Sequence, residues 1–477
     1  MTYSAAAPLR SPIARLLIAI VMAFALVVPL FFVWMLIYDR QQQSEVAQQS
    51  IAQGWGGPQI MAGPLLVIPY RTTQEETATV NGEETVRTSD RWEQRTIAPE
   101  AVAITTALEP ERRTRSIYEA IVYTANVEGR ARFVLPPDLA RAGIDPARLD
   151  LSRAELRFGL SDPRGLGANP QVSINGTALR LQPGGGGEAP AGPGFFAWLD
   201  ASALSGGALE ARFAFNFRGN RSIALEPRAG DTQWTVRSPW PHPSFGGSFL
   251  PSERNVSDSG FEASYRVGNL ALGQTLITSG NPPPVPAARP TQPDPADLYG
   301  QHDGREAAPP AGAQIDLVQP VDPYSQVNRA TKYGFLFVGF TFLAFLMFDI
   351  VGGVRVSSIE YLLVGAGLIL FFVLLLAFAE VIGFPAAYLV ASAAITGLIA
   401  FYSAAVLKSR RRAGLIGGLL VLLYATLYLL ISLEAYSLLI GSLLLFAALA
   451  ATMYLTRNLN WGISKGEAYA DAEEHAG

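Results

Sequence analysis

The densest group of potentially reactive side chains lies in the stretch SPWPHPSFGGSFLP, which covers residues 238–251. His242 and Ser244 are two residues apart, so in an extended segment they could face the same way as base and nucleophile. A Ser–His pair also needs an orienting group and an oxyanion hole, and the neighbouring sequence suggests neither. Hydrolysis at this stretch is therefore the weaker interpretation.

Three prolines alternate through the first half of the same stretch, at positions 239, 241 and 243. Each fixes φ and lacks an amide donor, so the segment cannot form an interior strand. We expect it at a sheet edge, or crossing the mouth of a domain in an extended, polyproline-like form. Trp240, Phe245 and Phe249 would then fill the core beneath it. The alternative is a ligand or partner surface made by Trp240, His242, Ser244 and Phe245.

Other catalytic and metal-binding chemistry has little support in the sequence. The chain has no Cys, which excludes disulfides, thiolate metal sites and cysteine nucleophiles. Two of its three histidines, His302 and His475, fall in a predicted disordered loop and in the C-terminal tail, so we expect no histidine metal cluster. Nucleotide-binding, esterase and zinc-protease motifs are missing. We expect no cofactor and, from the net charge of −4, no nucleic acid; a carboxylate site stays open.

Apolar runs predict six transmembrane helices. The first, residues 16–38, has no internal charge and no cleavage site after it, so it is an uncleaved signal anchor. Nothing comparable follows until five runs arrive in quick succession, at Tyr333–Val351, Ser357–Ala379, Phe384–Leu407, Ala413–Leu433 and Ala435–Thr456.

The distribution of basic residues predicts the orientation in the membrane. Arg15, the cluster KSRRR at residues 408–412 and Arg457 all fall on one side, whereas the opposite turns carry Glu380 and Glu434 without Lys or Arg. By the positive-inside rule both termini are cytoplasmic.

This topology divides the chain into segments. We expect a cytoplasmic N-terminus (1–15), the signal anchor (16–38), a large periplasmic domain (39–331), a bundle of five transmembrane helices (332–456) and a cytoplasmic tail (457–477). The bilayer is the first partner that this layout implies.

The large external segment has the pattern of an all-β domain, with a sandwich as the expected architecture. In ARFAFNFRG, Phe213, Phe215 and Phe217 alternate with small or polar residues, which places three rings on one face of a strand. The Asn-Gly pair in INGT predicts a hairpin. The stretch 281–313 is dominated by Pro, Ala, Asp and Gly, so we expect a disordered loop there.

Two acids in the predicted membrane region are candidate functional residues. Glu380 and Glu434 each end an uncharged span in a tight hairpin, and each is followed by an aromatic residue. One interpretation is that they only mark the topology. The other is a pair of docking or proton-linked sites, because acids in spans are costly and often functional.

Several local signatures resemble the CreD family of bacterial inner-membrane proteins. They are GPLLVIPY (63–70), SPWPHPSFGGSFLP (238–251), PVDPYSQVNRATKYGFLF (320–337), EVIGFPAAYL (380–389) and MYLTRNLNW (453–461). The resemblance spans nearly the whole chain and implies an envelope-integrity role. It also implies a link to the Cre two-component stress regulon and to tolerance of envelope-directed agents.

Three functions are compatible with these patterns. The leading hypothesis is a non-enzymatic envelope protein whose β domain binds an envelope lipid or a protein partner. The alternative is a transporter or lipid flippase that uses the C-terminal bundle, although the spans contain few polar residues and no obvious broken helix pair. The third is a hydrolase in the external domain.

Overall fold

The computed structural model describes residues 12–80, 83–115, 118–137, 139–141, 143–184, 192–286, 312–318, 323–350, 358–407, 410–433 and 437–457. The chain divides into two compact units. One consists of Ser44–Pro320 and is called the β unit. The other combines Met1–Gln43 with Val321–Gly477 and is called the membrane unit.

The described part of the β unit contains seventeen strands, four short 3-10 helices and one short α-helix. The strands are β1 (Gln59–Val80), β2 (Glu83–Ile97), β3 (Ala101–Arg115), β4 (Tyr118–Phe133), β5 (Ala154–Leu160), β6 (Gln171–Ile174), β7 (Thr177–Ala178), β8 (Leu181–Pro183), β9 (Gly194–Leu199), β10 (Leu209–Asn220), β11 (Ser222–Glu226), β12 (Asp231–Ser238), β13 (Pro243–Gly247), β14 (Glu253–Ser257), β15 (Gly260–Gly268), β16 (Ile277–Ser279) and β17 (Ala313–Leu317). The helix α2 (Asn269–Leu272) follows β15.

These strands form two sheets. One has the order β13-β17-β11-β1-β5-β9-β8, with β2 pairing β1 and β16 pairing β2; the other has the order β14-β15-β12-β3-β4-β10-β6-β7. Buried side chains of both sheets belong to one apolar core, for example Leu66 and Leu156 from the first sheet and Ile104 and Trp234 from the second. The predicted sandwich is therefore confirmed.

The local β predictions are also confirmed. Phe213 and Phe217 are 5% and 1% exposed on β10, and the ring of Phe213 makes an edge contact with Phe158 of the facing sheet at 5.2 Å between centroids. The hairpin between β6 and β7 turns through Asn175 and Gly176, both with positive φ, as a two-residue Asn-Gly turn requires.

The expectation of disorder over residues 281–313 is wrong at both ends of that stretch. Gly312 and Ala313 lead into β17, and residues 281–286, here called the strap, lie on the first sheet. Arg157 Nη1 donates to Asn281 Oδ1 at 2.9 Å and Arg228 Nη2 donates to the Pro283 carbonyl at 3.1 Å. The composition of the stretch could not show this, because the two donors lie elsewhere in the chain, on β5 and in the loop between β11 and β12. Residues 287–311 lie outside the described residues.

The helices of the membrane unit match the predicted runs, with one difference. The described helices are α1 (Pro12–Trp55), which crosses the unit boundary, α3 (Pro323–Lys332), α4 (Gly334–Ile350), α5 (Ser358–Ile382), α6 (Phe384–Leu407), α7 (Arg410–Ser432) and α8 (Ser437–Thr456). Five of them are long and apolar enough to span, and the bent pair α3–α4 would make a sixth.

The first C-terminal span is thus a broken helix pair, which corrects the prediction that the chain has none. Tyr324–Lys332 and Gly334–Met347 meet at 42°. The α4 helix has 17 residues, about 26 Å at the rise of an α-helix, which is shorter than a ~30 Å hydrocarbon core. Hydropathy missed α3 because its sequence, PYSQVNRATK, is polar.

Candidate functional site

The stretch 238–251 lies at the edge of the first sheet, as its prolines predict. Its strand β13 is the last in the order and pairs antiparallel with β17. Val318 N donates to the His242 carbonyl at 3.2 Å, and Ser248 N donates to the Gly312 carbonyl at 2.8 Å. Hydrogen-bonded pairs alternate along an antiparallel ladder. The backbone N–H and C=O groups of even-numbered residues therefore point toward β17, and those of odd-numbered residues point toward the open edge of the sheet.

The prolines therefore occupy the open edge. Pro241 and Pro243 sit where an amide would have no partner strand, so their missing donors cost the sheet nothing. Between residues 241 and 247, only Phe245 and Gly247 direct an N–H to this edge. Such an edge resists the addition of a strand from another chain, so a partner here would contact side chains rather than backbone.

The aromatic residues of the stretch face the core. Trp240 is 7% exposed, and its Nε1 donates to the Val318 carbonyl at 3.1 Å. The guanidinium of Arg112 lies 5.5 Å from its ring centroid. Phe245 is half-buried and makes an edge contact with Phe261 at 5.9 Å. Trp240 and Phe245 are thus structural anchors rather than exposed contact residues.

His242 and Ser244 are both exposed. Within the described residues, no hydrogen bond joins the imidazole or the Ser244 hydroxyl to another side chain, although Asp316 lies directly opposite Ser244 in the β13–β17 pair. A Ser–His mechanism needs the base bonded to both neighbours. Their exposed side chains suit a contact surface better.

A groove begins beside this stretch at Ser238 and Pro239. It has a volume of 480 Å³ and lies over the middle of β3 and the adjoining ends of β12, β14 and β15. Its lining residues are Ala107, Leu108, Glu109, Arg237, Ser238, Pro239, Asn255, Ser257, Ser259, Gly260, Phe261 and Glu262. Arg237 Nη2 and Glu262 Oε1 form an exposed ion pair of 2.9 Å along its wall. Hydroxyls, an amide and both signs of charge line the groove beside a larger apolar surface.

Of the two candidate acids, the structure describes Glu380. Its side chain is half-buried near the end of α5, and Tyr324 Oη donates to Glu380 Oε1 at 3.1 Å. Glu434 lies outside the described residues, so the proposed pairing of the two acids stays a prediction. Sequence reasoning missed Tyr324, although the spacing of Tyr324, Val327 and Thr331 is the period of one buried helix face.

Comparison with known proteins decides the family. The family model described as "Inner membrane protein CreD" matches residues 11–462 of the chain. The chain belongs to the CreD family. The CreD inner membrane protein of Escherichia coli strain K12 is 30% identical over 442 residues, which is 91% of this chain and 90% of that protein. Together with the apolar helices, this CreD match identifies a multi-pass inner-membrane protein.

A comparison with solved structures adds no argument. A crystal structure from Parabacteroides distasonis ATCC 8503 aligns with 51% of this chain and 45% of its own chain, at 8% identity and a TM-score of 0.20.

Proposed function

We propose that this CreD-family chain is an envelope-integrity protein whose β unit lies in the periplasm and binds a protein partner without catalysing a reaction. The main support for the proposal is the groove beside the proline-containing edge of the first sheet. Its hydroxyl, amide and charged groups lie among apolar ones, and its exposed Arg237–Glu262 pair fits a protein surface of complementary charge. Packed side chains occupy the space between the two sheets, which leaves no room there for an acyl chain. A protein partner therefore fits better than a lipid.

A charge reversal in the groove tests this proposal. Arg237→Glu should weaken tolerance to envelope-directed agents in a deletion strain, since it places two like charges side by side at the contact. Arg266→Glu is the matched control: Arg266 forms an equally exposed pair with Asp231 at 3.0 Å and does not line the groove. Protein amounts are matched by immunoblot. Full complementation by Arg237→Glu would count against the groove as the binding surface.

The proposed orientation has its own test, because the chain contains no Cys. A single Ser244→Cys substitution gives an exposed thiol on the β unit, and Ser409→Cys places one in the basic cluster KSRRR that the positive-inside rule assigns to the cytoplasm. In cells with a permeabilised outer membrane, an impermeant maleimide should label the first and not the second. The reverse labelling would invert the topology.

A transporter or lipid flippase is the second candidate. The broken pair α3–α4 favours it, because interrupted helices in a bundle expose backbone and polar groups at membrane depth. Vesicles reconstituted with the full chain should then show flux or lipid scrambling that Glu380→Gln reduces. Wild-type vesicles without any flux would remove this candidate.

A further inference from the structure

The polar helix α3 lies alongside the final turns of the α5 span. Tyr324, at the start of α3, bonds to Glu380. Gly334, at the start of α4, lies against the ring of Phe372, and Phe337 packs on Phe371 with centroids 6.4 Å apart. The two segments therefore run antiparallel, and α3 sits at the depth where α5 leaves the apolar layer.

Glu380 forms no ion pair with a cationic side chain among the described residues. Its hydrogen-bond partner is the neutral hydroxyl of Tyr324. It also lies in the last turn of α5, which ends at Ile382, where the helix dipole disfavours a negative charge. Half-buried carboxylates are normally paired, so this position favours a cation.

Asn328 supplies a second acceptor on the same side of α3. It follows Tyr324 by one turn, which places the two Cβ atoms about 5–6 Å apart on one helix face. Its Oδ1 is buried and accepts no hydrogen bond from any described residue. A buried amide oxygen without a donor is rare in folded proteins. Glu380, which Tyr324 holds, and Asn328, one turn further along α3, are here called the acceptor cluster.

The chemistry of this cluster selects its ligand. It offers oxygen acceptors with one net negative charge, so the complement is a monovalent cation that donates hydrogen bonds. A primary ammonium has one charge and three N–H donors. A divalent metal would need more carboxylates, and within the described residues no group of three His, Cys, Asp or Glu lies together. At the end of a span, an ammonium group is supplied by the headgroup of an aminophospholipid.

We propose that Glu380 and Asn328, positioned by Tyr324, bind the ammonium headgroup of phosphatidylethanolamine. This site goes beyond the proposed function, because it lies in the membrane unit and does not depend on the groove of the β unit. Full complementation by Arg237→Glu would count against the groove but not against this lipid site. A failure of the lipid test would likewise not affect the groove proposal.

Stepwise methylation of the lipid amine tests the site. The purified full chain is reconstituted into vesicles that contain phosphatidylglycerol with equal amounts of phosphatidylethanolamine and its mono-, di- or trimethylated form, the last being phosphatidylcholine. Each methyl group removes one donor and keeps the charge. Native mass spectrometry of lipid retained on the protein should show phosphatidylethanolamine enriched about tenfold over phosphatidylcholine, the worth of a charge-assisted hydrogen bond.

Variants separate the site from bulk lipid effects. Glu380→Gln should abolish the enrichment, and Tyr324→Phe, which removes only the positioning hydroxyl, should reduce it. Glu360→Gln is the matched control, because Glu360 is a half-buried acid in the first turn of the same helix. Equal retention of both lipids by the wild type, enrichment that survives Glu380→Gln, or equal loss in Glu360→Gln would each overturn the proposal. If soluble ethanolamine displaces phosphatidylethanolamine when both are at the same concentration, the site binds a free amine, and the lipid would be ruled out as the source of the ammonium group.

Discussion

Replacing Arg157 by Leu should release the strap from the first sheet. The Arg157 guanidinium bonds to Glu155 through Nε and Nη2 at 2.9 and 2.7 Å, and to Asn281 Oδ1 through Nη1 at 2.9 Å. Only the last of these bonds holds the strap. Val285 is 8% exposed and packs on Ile60 and Ala62, on the face opposite the main core, so it reports whether the strap is closed.

The expected effect follows from that single bond. A hydrogen bond from a charged donor contributes about 1.5–3 kcal/mol, so its loss should raise the open fraction of the strap about 10- to 150-fold. The carbonyl of Pro283 keeps its bond to Arg228, and Val285 keeps its apolar contacts. The first effect should therefore be local opening of the strap. The substitution also leaves the carboxylate of Glu155, which is 13% exposed, without its cation, and this lowers the free energy of unfolding of the β unit as well.

A single buried thiol measures the opening. The chain has no Cys, so Val285→Cys in the full-length protein places one reactive group under the strap. A thiol reagent modifies it only in the open form, and the labelling rate scales with the open fraction when closing is fast. Arg157→Leu in this background should accelerate labelling by the factor given above.

Arg164→Leu is the matched control. Arg164 makes a similar two-bond pair with Asp162, at 2.9 Å for both bonds, but its side chain is 71% exposed and does not contact the strap. A labelling rate within about twofold of the background for Arg157→Leu would refute the reasoning, because a bond worth at least about 1.5 kcal/mol must change it more. Equal acceleration in Arg164→Leu would also refute it.

Two further predictions concern the stability of the β unit. Trp240→Phe should lower the free energy of unfolding by about 1–2 kcal/mol, since it removes the bond to the Val318 carbonyl, whereas Ser244→Ala should change it by less than about 0.5 kcal/mol because Ser244 is exposed. Burial raises the pKa of the Tyr123 and Tyr265 phenols above the usual value of 10.0. The unfolded phenols ionise first, so the free energy of unfolding should hold below pH ~10 and fall above it by about 1.4 kcal/mol per pH unit and tyrosine. Thermal melts should show a shallower alkaline loss for Tyr265→Phe; an unchanged loss would contradict this cause.

Features that depend on a few consecutive residues could be predicted from the sequence. The spans α5 to α8 follow from apolar length, because a helix satisfies its own backbone and only its exterior must suit lipid. The Asn175–Gly176 turn and the buried Phe face of β10 follow from local φ preference and the two-residue period of a strand. The alternating prolines likewise predicted an edge position for residues 238–251.

Only the tertiary structure decided where distant segments meet. The sequence could not show that Pro241 and Pro243 face the open edge, because that depends on the register of β13 against β17. It could not show the strap either, since its donors, Arg157 on β5 and Arg228 in the loop between β11 and β12, are far from it in sequence. Hydropathy, which averages the apolar character of consecutive residues, assigned the polar helix α3 to the external domain rather than to the bundle. Its position beside Glu380 depends on helix packing, and that brings together residues far apart in sequence.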